Sequence, residues 1–163
     1  MNQRPLLALD VDGVLNPFRA TQAPRKHFEG YRRHTLKGYR LWLTPEHGKL
    51  LLDLDLDIVW ATTWEDDANE LVAPLVGLPQ TLPVLHMNFP DDLRDDGCGK
   101  RPALSRFVET RPLIWVDDDL GASDYEWADS LAQPSLLLAP DPHVGLTRPH
   151  IEKIGGFVAE HAG

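Results

Sequence analysis

The chain has 163 residues, 42% of them apolar and 25% charged, and this predicts one globular domain spanning 1–163. The sequence has no apolar run near the ~20 residues of a membrane span, no signal peptide and a single cysteine, so we expect a cytoplasmic protein without a membrane partner or a disulfide. The formal net charge of −9 argues against general affinity for nucleic acid.

Short apolar runs alternate with segments of helical periodicity along the chain. Thr44 followed by Pro45 is a typical helix start, and Gly77 is a typical helix stop. In chain order, the predicted elements are a strand at 5–9, a flap or hairpin at 17–43, a helix at 45–53, a strand at 57–61, a helix at 65–76, a short strand at 82–85, a loop at 88–99, a helix at 100–110, a strand at 113–116, a helix at 123–132, a strand at 135–139 and a helix at 147–162. Cys98 falls in the loop, where we expect an ordinary thiol.

This alternation predicts an α/β fold of three layers, in which a doubly wound parallel sheet of five strands has helices on both faces. In such sheets, ligands bind beyond the carboxyl ends of the strands. The first strand ends at Asp10, the second at Thr62, and the fourth at Asp117 and Asp118. We therefore expect a functional site at this edge.

Four carboxylates are predicted to meet there. Asp10 and Asp12 point the same way in an extended segment, and Asp117 and Asp118 approach from another strand. Carboxylates this close repel each other unless a cation lies between them, and oxygen ligands suit Mg²⁺. Each acidic segment alone has a simpler interpretation, either a calcium loop or solvated turn at 10–12 or an acidic helix start at 117–119.

Phosphoryl transfer would use all of these groups. One carboxylate can act as a covalent nucleophile and give an aspartyl-phosphate, and another can act as general acid and base. Thr62 and Lys100 have the hydroxyl and ammonium groups to hold the phosphate oxygens, helped by backbone N–H groups of the turn at 11–13. The sequence therefore indicates a Mg²⁺-dependent phosphohydrolase with Asp10 as its nucleophile.

Four segments, in order, resemble the signature motifs of the haloacid dehalogenase (HAD) superfamily. They are 10–14 (DVDGV), 58–62 (IVWAT), 99–102 (GKRP) and 114–118 (IWVDD). The resemblance implies a HAD-like Rossmannoid fold, a Mg²⁺ cofactor and an aspartyl-phosphate intermediate. In having an acid at position 12, the sequence resembles the phosphatase and phosphomutase branches of the superfamily. The dehalogenase and phosphonatase branches lack this acid.

The resemblance also implies a role for each matching residue. Asp10 would be the nucleophile and a metal ligand, and Asp12 would be the general acid/base and bind the metal through its backbone carbonyl. Thr62, with Thr63 beside it, and Lys100 would bind the phosphoryl group. Asp118 would be the main metal ligand from the fourth motif, with Asp117 in support. Two points stay open. Lys26 or Lys49 could replace Lys100, although neither lies in the segment that directly precedes the fourth-motif strand. Asp119 or Asp124 could also join the metal ligands.

The gaps between the motifs bear on the substrate. Neither 17–57 nor 64–99 accommodates a full cap domain, and capless HAD enzymes often act on large substrates such as nucleic-acid ends or phosphoproteins. The alternative is an oligomer that covers the site of a small-metabolite or nucleotide phosphatase. A phosphomutase is disfavoured by the short gaps, and a degenerate domain that only binds a phosphorylated partner is disfavoured by the complete motifs.

The segment 19–43 carries seven basic side chains against one acid, Glu29. These charges could bind phosphates that flank a reactive end, and we expect Arg32 and Arg33 to be the substrate-binding residues among them. A solvated loop that balances acidic neighbours is the alternative. The stretch 60–69 also resembles small HAD domains of RNA-repair systems, which favours a polynucleotide end phosphate as substrate. Aromatic side chains near the flap could stack on bases, or simply pack the flap onto the body.

Overall fold

A computed structural model describes residues 3–87 and 99–161. The strands are β1 (Leu6–Leu9), β2 (Arg32–Leu36), β3 (Tyr39–Leu43), β4 (Asp57–Trp60), β5 (Leu113–Val116) and β6 (Ser135–Leu138). The helices are α1 (Pro45–Leu52), α2 (Ala73–Val76), α3 (Arg101–Val108), α4 (Ala122–Ser130) and α5 (Arg148–His161), and a π-helical turn (Ala68–Val72) leads into α2. The predicted loop at 88–99 lies, except for Gly99, outside the described residues, as does Cys98. None of the described helices has the length and apolar character that a membrane span requires.

The central sheet is parallel, with the strand order β4-β1-β5-β6. All four residues of β1 are buried, and their side chains alternate between two hydrophobic clusters. Leu7 and Leu9 belong to one cluster, and Leu6 and Ala8 belong to the other. Because alternate side chains of a strand point to opposite faces, the sheet has a core on each side. The predicted three-layer α/β fold is confirmed.

The predicted fifth strand is reduced to a single bridge, so the prediction of five strands was wrong by one. Val84 pairs with Trp60 in parallel, through a hydrogen bond from Trp60 N to Pro83 O and one from Leu85 N to Trp60 O, each at 2.9 Å. The ladder does not extend toward the N-terminus, because Pro83 has no N–H to donate to the next rung.

The segment before α1 forms the predicted hairpin. β2 and β3 pair antiparallel around Lys37 and Gly38, whose φ angles are 48° and 81°. Two consecutive residues with positive φ are typical of the tight turn that suits the twist of paired strands. Within the described residues, this hairpin and α1 are the only regular elements between β1 and β4, and no cap domain is present there.

The helix limits agree with the sequence predictions within two residues, and two of the helix starts have a clear local cause. The side chain of Thr44 caps α1 by accepting a hydrogen bond from Glu46 N at 3.2 Å. The helix predicted at 65–76 begins at Asp66, and its residues Ala68–Val72 form a π-helical turn. Glu65 has a φ of 49°, which is incompatible with a right-handed helix at that position.

His47 of α1 is fully buried and anchors the segment before the hairpin. Its ring meets those of Phe28 and Tyr31 edge-on at 4.9 and 5.8 Å, and its Nε2 donates to Leu146 O at 2.9 Å. Burial, opposed by the hydrogen bond to Leu146, lowers the pKa of His47 to about 4. The ring is therefore neutral in the folded protein at neutral pH.

This pKa shift predicts a stability that falls as the pH is lowered. The unfolded chain protonates His47 near pH 6.5 and the folded chain only near pH 4, so the unfolded state binds more protons between these values. We expect the free energy of unfolding to fall by up to about 1.4 kcal/mol per pH unit in that range from this residue. Urea unfolding at pH 7.5 and pH 5 measures it. His47→Gln should flatten the dependence, and the exposed control His86→Gln should not; equal slopes in all three proteins would contradict the assignment.

Candidate active site

The acidic residues of the site follow two neighbouring strands of the sheet. β1 and β5 pair with Leu9 opposite Val116, so the next residue of each strand, Asp10 and Asp117, emerges at the same edge. Together with Asp118, these residues form a group whose carboxylate oxygens lie within 4.8 Å of one another. Asp10 and Asp117 are buried, and Asp118 is half-buried. The convergence expected from the strand ends is therefore present in the fold.

Lys100 is the cation that faces this group. Its side chain is only 7% exposed, and its Nζ lies 3.1 Å from Asp10 Oδ1 and 2.5 Å from Asp117 Oδ2. Lys26 and Lys49, the alternatives considered from the sequence, are exposed residues of other segments. One ammonium faces three carboxylates, so the group carries excess negative charge when its acids are ionised.

Burial, together with this excess charge, disfavours ionisation of two of the acids. Burial raises the pKa of Asp10 well above its ordinary value, with Lys100 opposing the effect and Asp117 adding to it. Burial also raises the pKa of Asp118, and the charge of Asp117 adds to that shift. A further cation would oppose both pKa shifts, because it would favour the ionised form of both groups.

The turn after β1 is shaped to admit these carboxylates. Gly13 has a φ of 83°, and a Cβ at this position would lie 2.1 Å from Asp118 Cγ. Only glycine adopts this conformation easily and leaves room for the carboxylate of Asp118. The site therefore suits a hard divalent cation. It offers three carboxylate oxygen donors, its negative charge is only partly compensated, and the absence of a side chain at Gly13 leaves space beside Asp118.

The carboxylate of Asp12 lies apart from the acidic group. Its Oδ1 accepts a hydrogen bond from Asn16 Nδ2 at 2.9 Å, and its Oδ2 accepts one from Trp64 Nε1 at 3.0 Å. Asn16 Oδ1 in turn accepts from Trp42 N of the hairpin at 3.0 Å. Asp12 is thus oriented from two sides by Asn16 and Trp64, to which the sequence had given no role in catalysis. Asn16 stands only four residues beyond Asp12, and this spacing was the signal available.

Among the described residues, two adjacent cavities open at this edge. The acidic cavity, about 320 Å³, is lined by the acidic residues together with Lys100 and Arg19. The hairpin cavity, about 570 Å³, lies between the hairpin and the segment after β4. Asp12, Phe18 and Thr63 line both cavities.

Comparison with known proteins agrees with this arrangement. The family model described as the HAD domain in Swiss Army Knife RNA repair proteins matches residues 6–151. The chain belongs to this family. Both the HAD resemblance and the weaker RNA-repair resemblance of the sequence are confirmed. Comparison with curated proteins and with solved structures found no significant match.

The remaining predicted residues of this HAD domain take varied positions. Thr62 is fully buried and its Oγ1 accepts a hydrogen bond from Trp64 N at 3.2 Å, whereas Thr63 is exposed and lines both cavities. Asp119 is exposed and its N–H donates to Asp117 Oδ1 at 2.9 Å. Asp124 accepts from Gly121 N at 2.9 Å at the start of α4.

The hairpin cations of this HAD domain are arranged differently from the expectation. Arg32 and Arg33 are exposed and line neither cavity, and the guanidinium of Arg33 lies over the ring of Trp42. The cations that line the hairpin cavity are Lys37 and Arg40. Both pairs belong to the segment 19–43, and the hairpin register decides which of its basic residues line the cavity.

Proposed function

We propose that this HAD domain is a Mg²⁺-dependent phosphatase that works through an aspartyl-phosphate and acts on a phosphorylated nucleic-acid end. The observation that carries the proposal is the buried group of Asp10, Asp117 and Asp118 facing Lys100 at the carboxyl edge of the sheet. Membership of the HAD family supports phosphoryl transfer or hydrolysis as the reaction class.

The acidic group fits a magnesium ion. The carboxylates of Asp10, Asp117 and Asp118 would hold it, and the family resemblance adds the backbone carbonyl of Asp12. When bound, Mg²⁺ would offset the repulsion between the carboxylate of Asp10 and a phosphate. Lys100 supplies positive charge beside Asp10 and Asp117, and it orients Asp10 through its ammonium group.

The proposed reaction has two displacements at phosphorus. An oxygen of Asp10 attacks the phosphorus, the bond to the leaving oxygen breaks with its electron pair, and Asp12 gives its proton to that oxygen. Asp12 then takes a proton from water, whose oxygen attacks the phosphorus and displaces Asp10. The products are the free hydroxyl of the substrate, inorganic phosphate and the original enzyme. Lys100, with Thr62 or Thr63, holds the phosphate oxygens throughout.

Two observations support a nucleic-acid end. The hairpin cavity has cationic and aromatic walls, and the family is described from RNA repair proteins. There are two competing functions. One is a small-metabolite phosphatase whose site is covered by oligomerisation, and the other is a domain that binds a phosphorylated partner without turnover. Both are outcomes of the same assay.

The test is metal-dependent phosphate release from an aryl phosphate, followed by mononucleotides, sugar phosphates, and oligonucleotides phosphorylated at the 3′ or 5′ end. We expect release with Mg²⁺, none in EDTA, and the highest kcat/KM on an oligonucleotide. Preference for a sugar phosphate would favour the metabolite function. Binding of phosphorylated oligonucleotides without release from any substrate would favour the non-catalytic domain.

Trp64 gives a prediction specific to the acid/base. Trp64→Phe keeps a ring but removes the N–H that donates to Asp12 Oδ2. Because protonation matters most for a poor leaving group, we expect kcat on an alkyl phosphate to fall about tenfold more than kcat on an aryl phosphate, as loss of one hydrogen bond to a charged group implies. Trp127→Phe, on α4 and away from both cavities, should leave the ratio of the two rates unchanged. The same ratio in Trp64→Phe and wild type would remove Trp64 from this role.

A further inference from the structure

The hairpin cavity has a composition that catalysis alone does not require. Phe18 and Tyr39 line it with 47% and 69% of their surface exposed, and a group of exposed rings around one cavity is more informative than a single exposed apolar residue. Trp64 completes the aromatic wall, with its ring centroid 6.2 Å from that of Tyr39 and an interplanar angle of 70°. Aromatic rings left accessible around one cavity are suited to stacking on a planar ligand.

The position of the cavity defines which part of a substrate reaches it. In the proposed function, on which this inference rests, Asp12 protonates the leaving oxygen. Asp12 lines the hairpin cavity, and its carboxylate bonds to Trp64 in the wall of that cavity. The group attached to the leaving oxygen therefore extends into the hairpin cavity, while the phosphate stays beside Asp10 and Lys100.

Charge distinguishes between planar leaving groups. Arg40 and Lys37 line the same cavity together with the acids Asp12 and Asp67. Lys37 pairs with Asp67, and Asp12 also faces the acidic cavity. The surrounding segment 19–43 has seven basic side chains and one acid. In a nucleic-acid strand, the terminal base is followed by negatively charged phosphodiesters of the backbone. A phosphotyrosine peptide provides an aromatic ring but no regular negative charge. The combination favours the nucleotide.

We propose that the hairpin cavity binds the nucleobase of the terminal nucleotide that carries the reacting phosphate, with Tyr39 stacking on the base and Arg40 contacting the next phosphodiester. This assigns a leaving-group site for one nucleotide to the hairpin. The base is held by stacking and the backbone by charge, so the site accepts different bases. It also accounts for the exposure of Tyr39, which packs against Trp64 on one side only.

The test measures binding, so that it is independent of turnover. Single-stranded oligonucleotides with a terminal phosphate and a fluorophore at the far end are titrated with Asp10→Asn protein, and in parallel with wild type in EDTA in case the substitution affects folding. The terminal nucleotide either has its base or is abasic. We expect the abasic end to bind at least about fivefold more weakly, as loss of one stacked base implies. Substrates phosphorylated at the 3′ and 5′ ends are separate arms.

Variants locate the contact. Tyr39→Ala should weaken binding of the base-bearing end at least about fivefold and abolish its advantage over the abasic end. Tyr125→Ala removes an exposed aromatic of α4 that lines neither cavity and should change nothing. Arg40→Ala should lower the slope of log Kd against log salt concentration by about 0.7, the value for one phosphate contact to a single strand. Lys153→Ala on α5 should leave that slope unchanged.

The outcomes separate the two proposals. Equal binding of abasic and base-bearing ends, or tighter binding of a phosphotyrosine peptide, would overturn the cavity assignment, even if the wild type releases phosphate from an aryl phosphate. A base-dependent preference that Tyr39→Ala abolishes would uphold the assignment, even if the wild type releases no phosphate. In that case, only the proposed catalysis would fail.

Discussion

Asp10→Asn is expected to reduce Mg²⁺-dependent phosphate release at least about a thousandfold, because the amide is a poor nucleophile and a poor metal ligand. The substitution is nearly isosteric in a buried position, so the fold should persist. The backbone N–H of Val11 now donates to Asp10 Oδ1 at 2.8 Å, and an asparagine side-chain oxygen can accept the same hydrogen bond. Residual release within a factor of ten of wild type would show that Asp10 is not the nucleophile.

Asp12→Asn is the matched control, because it removes an acid from the same turn but leaves the nucleophile in place. With an aryl phosphate, the leaving group needs little protonation, so Asp10 should still be phosphorylated. The second displacement lacks its general base and should slow by about 10²–10⁴-fold. Acid quenching with ³²P-labelled substrate should trap phosphoenzyme in Asp12→Asn and none in Asp10→Asn. Equal labelling of the two variants would contradict the division of roles.

Lys100→Met is expected to lower the free energy of unfolding in EDTA by about 3–5 kcal/mol, the usual result of removing one partner from a buried ion pair. Lys100 is buried between Asp10 and Asp117, and methionine fills similar space without the charge. Urea unfolding with and without Mg²⁺ measures the effect. Because a bound cation would supply part of the missing charge, Mg²⁺ should stabilise the variant more than the wild type.

Two further proteins show whether charge causes this loss. Lys153→Met changes an exposed lysine of α5 and should alter the stability by less than about 0.5 kcal/mol. Lys100→Met combined with Asp117→Asn removes a carboxylate together with its partner and should recover part of the stability. A double variant as unstable as Lys100→Met would attribute the loss to packing.

The position of the acidic group was predictable because it depends on local pattern and one topological rule. Apolar runs that stop at Asp10 and at Asp117 identify strand ends, and parallel strands bring their carboxyl ends to one edge. Lys100 could be chosen on the same grounds, since it alone among the candidate lysines lies between the second-motif and fourth-motif strands. The structure places all of these residues within contact distance.

Side-chain direction could not be predicted in the same way. Asp12 follows Asp10 by two residues, and an extended segment would have pointed both carboxylates the same way. The turn through Gly13 instead directs Asp12 toward Asn16 and Trp64. Similarly, the sequence indicated a basic hairpin, and we expected Arg32 and Arg33 to bind the substrate. The basic residues that line the hairpin cavity are Lys37 and Arg40.

The sequence by itself determined the α/β class, the family and the edge at which Asp10, Lys100 and Asp117 meet, because hydrophobic periodicity and strand ends are local properties. Only the tertiary structure decided the separate orientation of Asp12, the reduction of the fifth strand to one bridge and the cavity beneath the hairpin. Each of these depends on contacts between segments distant in the chain. Trp64 lies 52 residues from Asp12, and no pattern in either segment specifies their hydrogen bond.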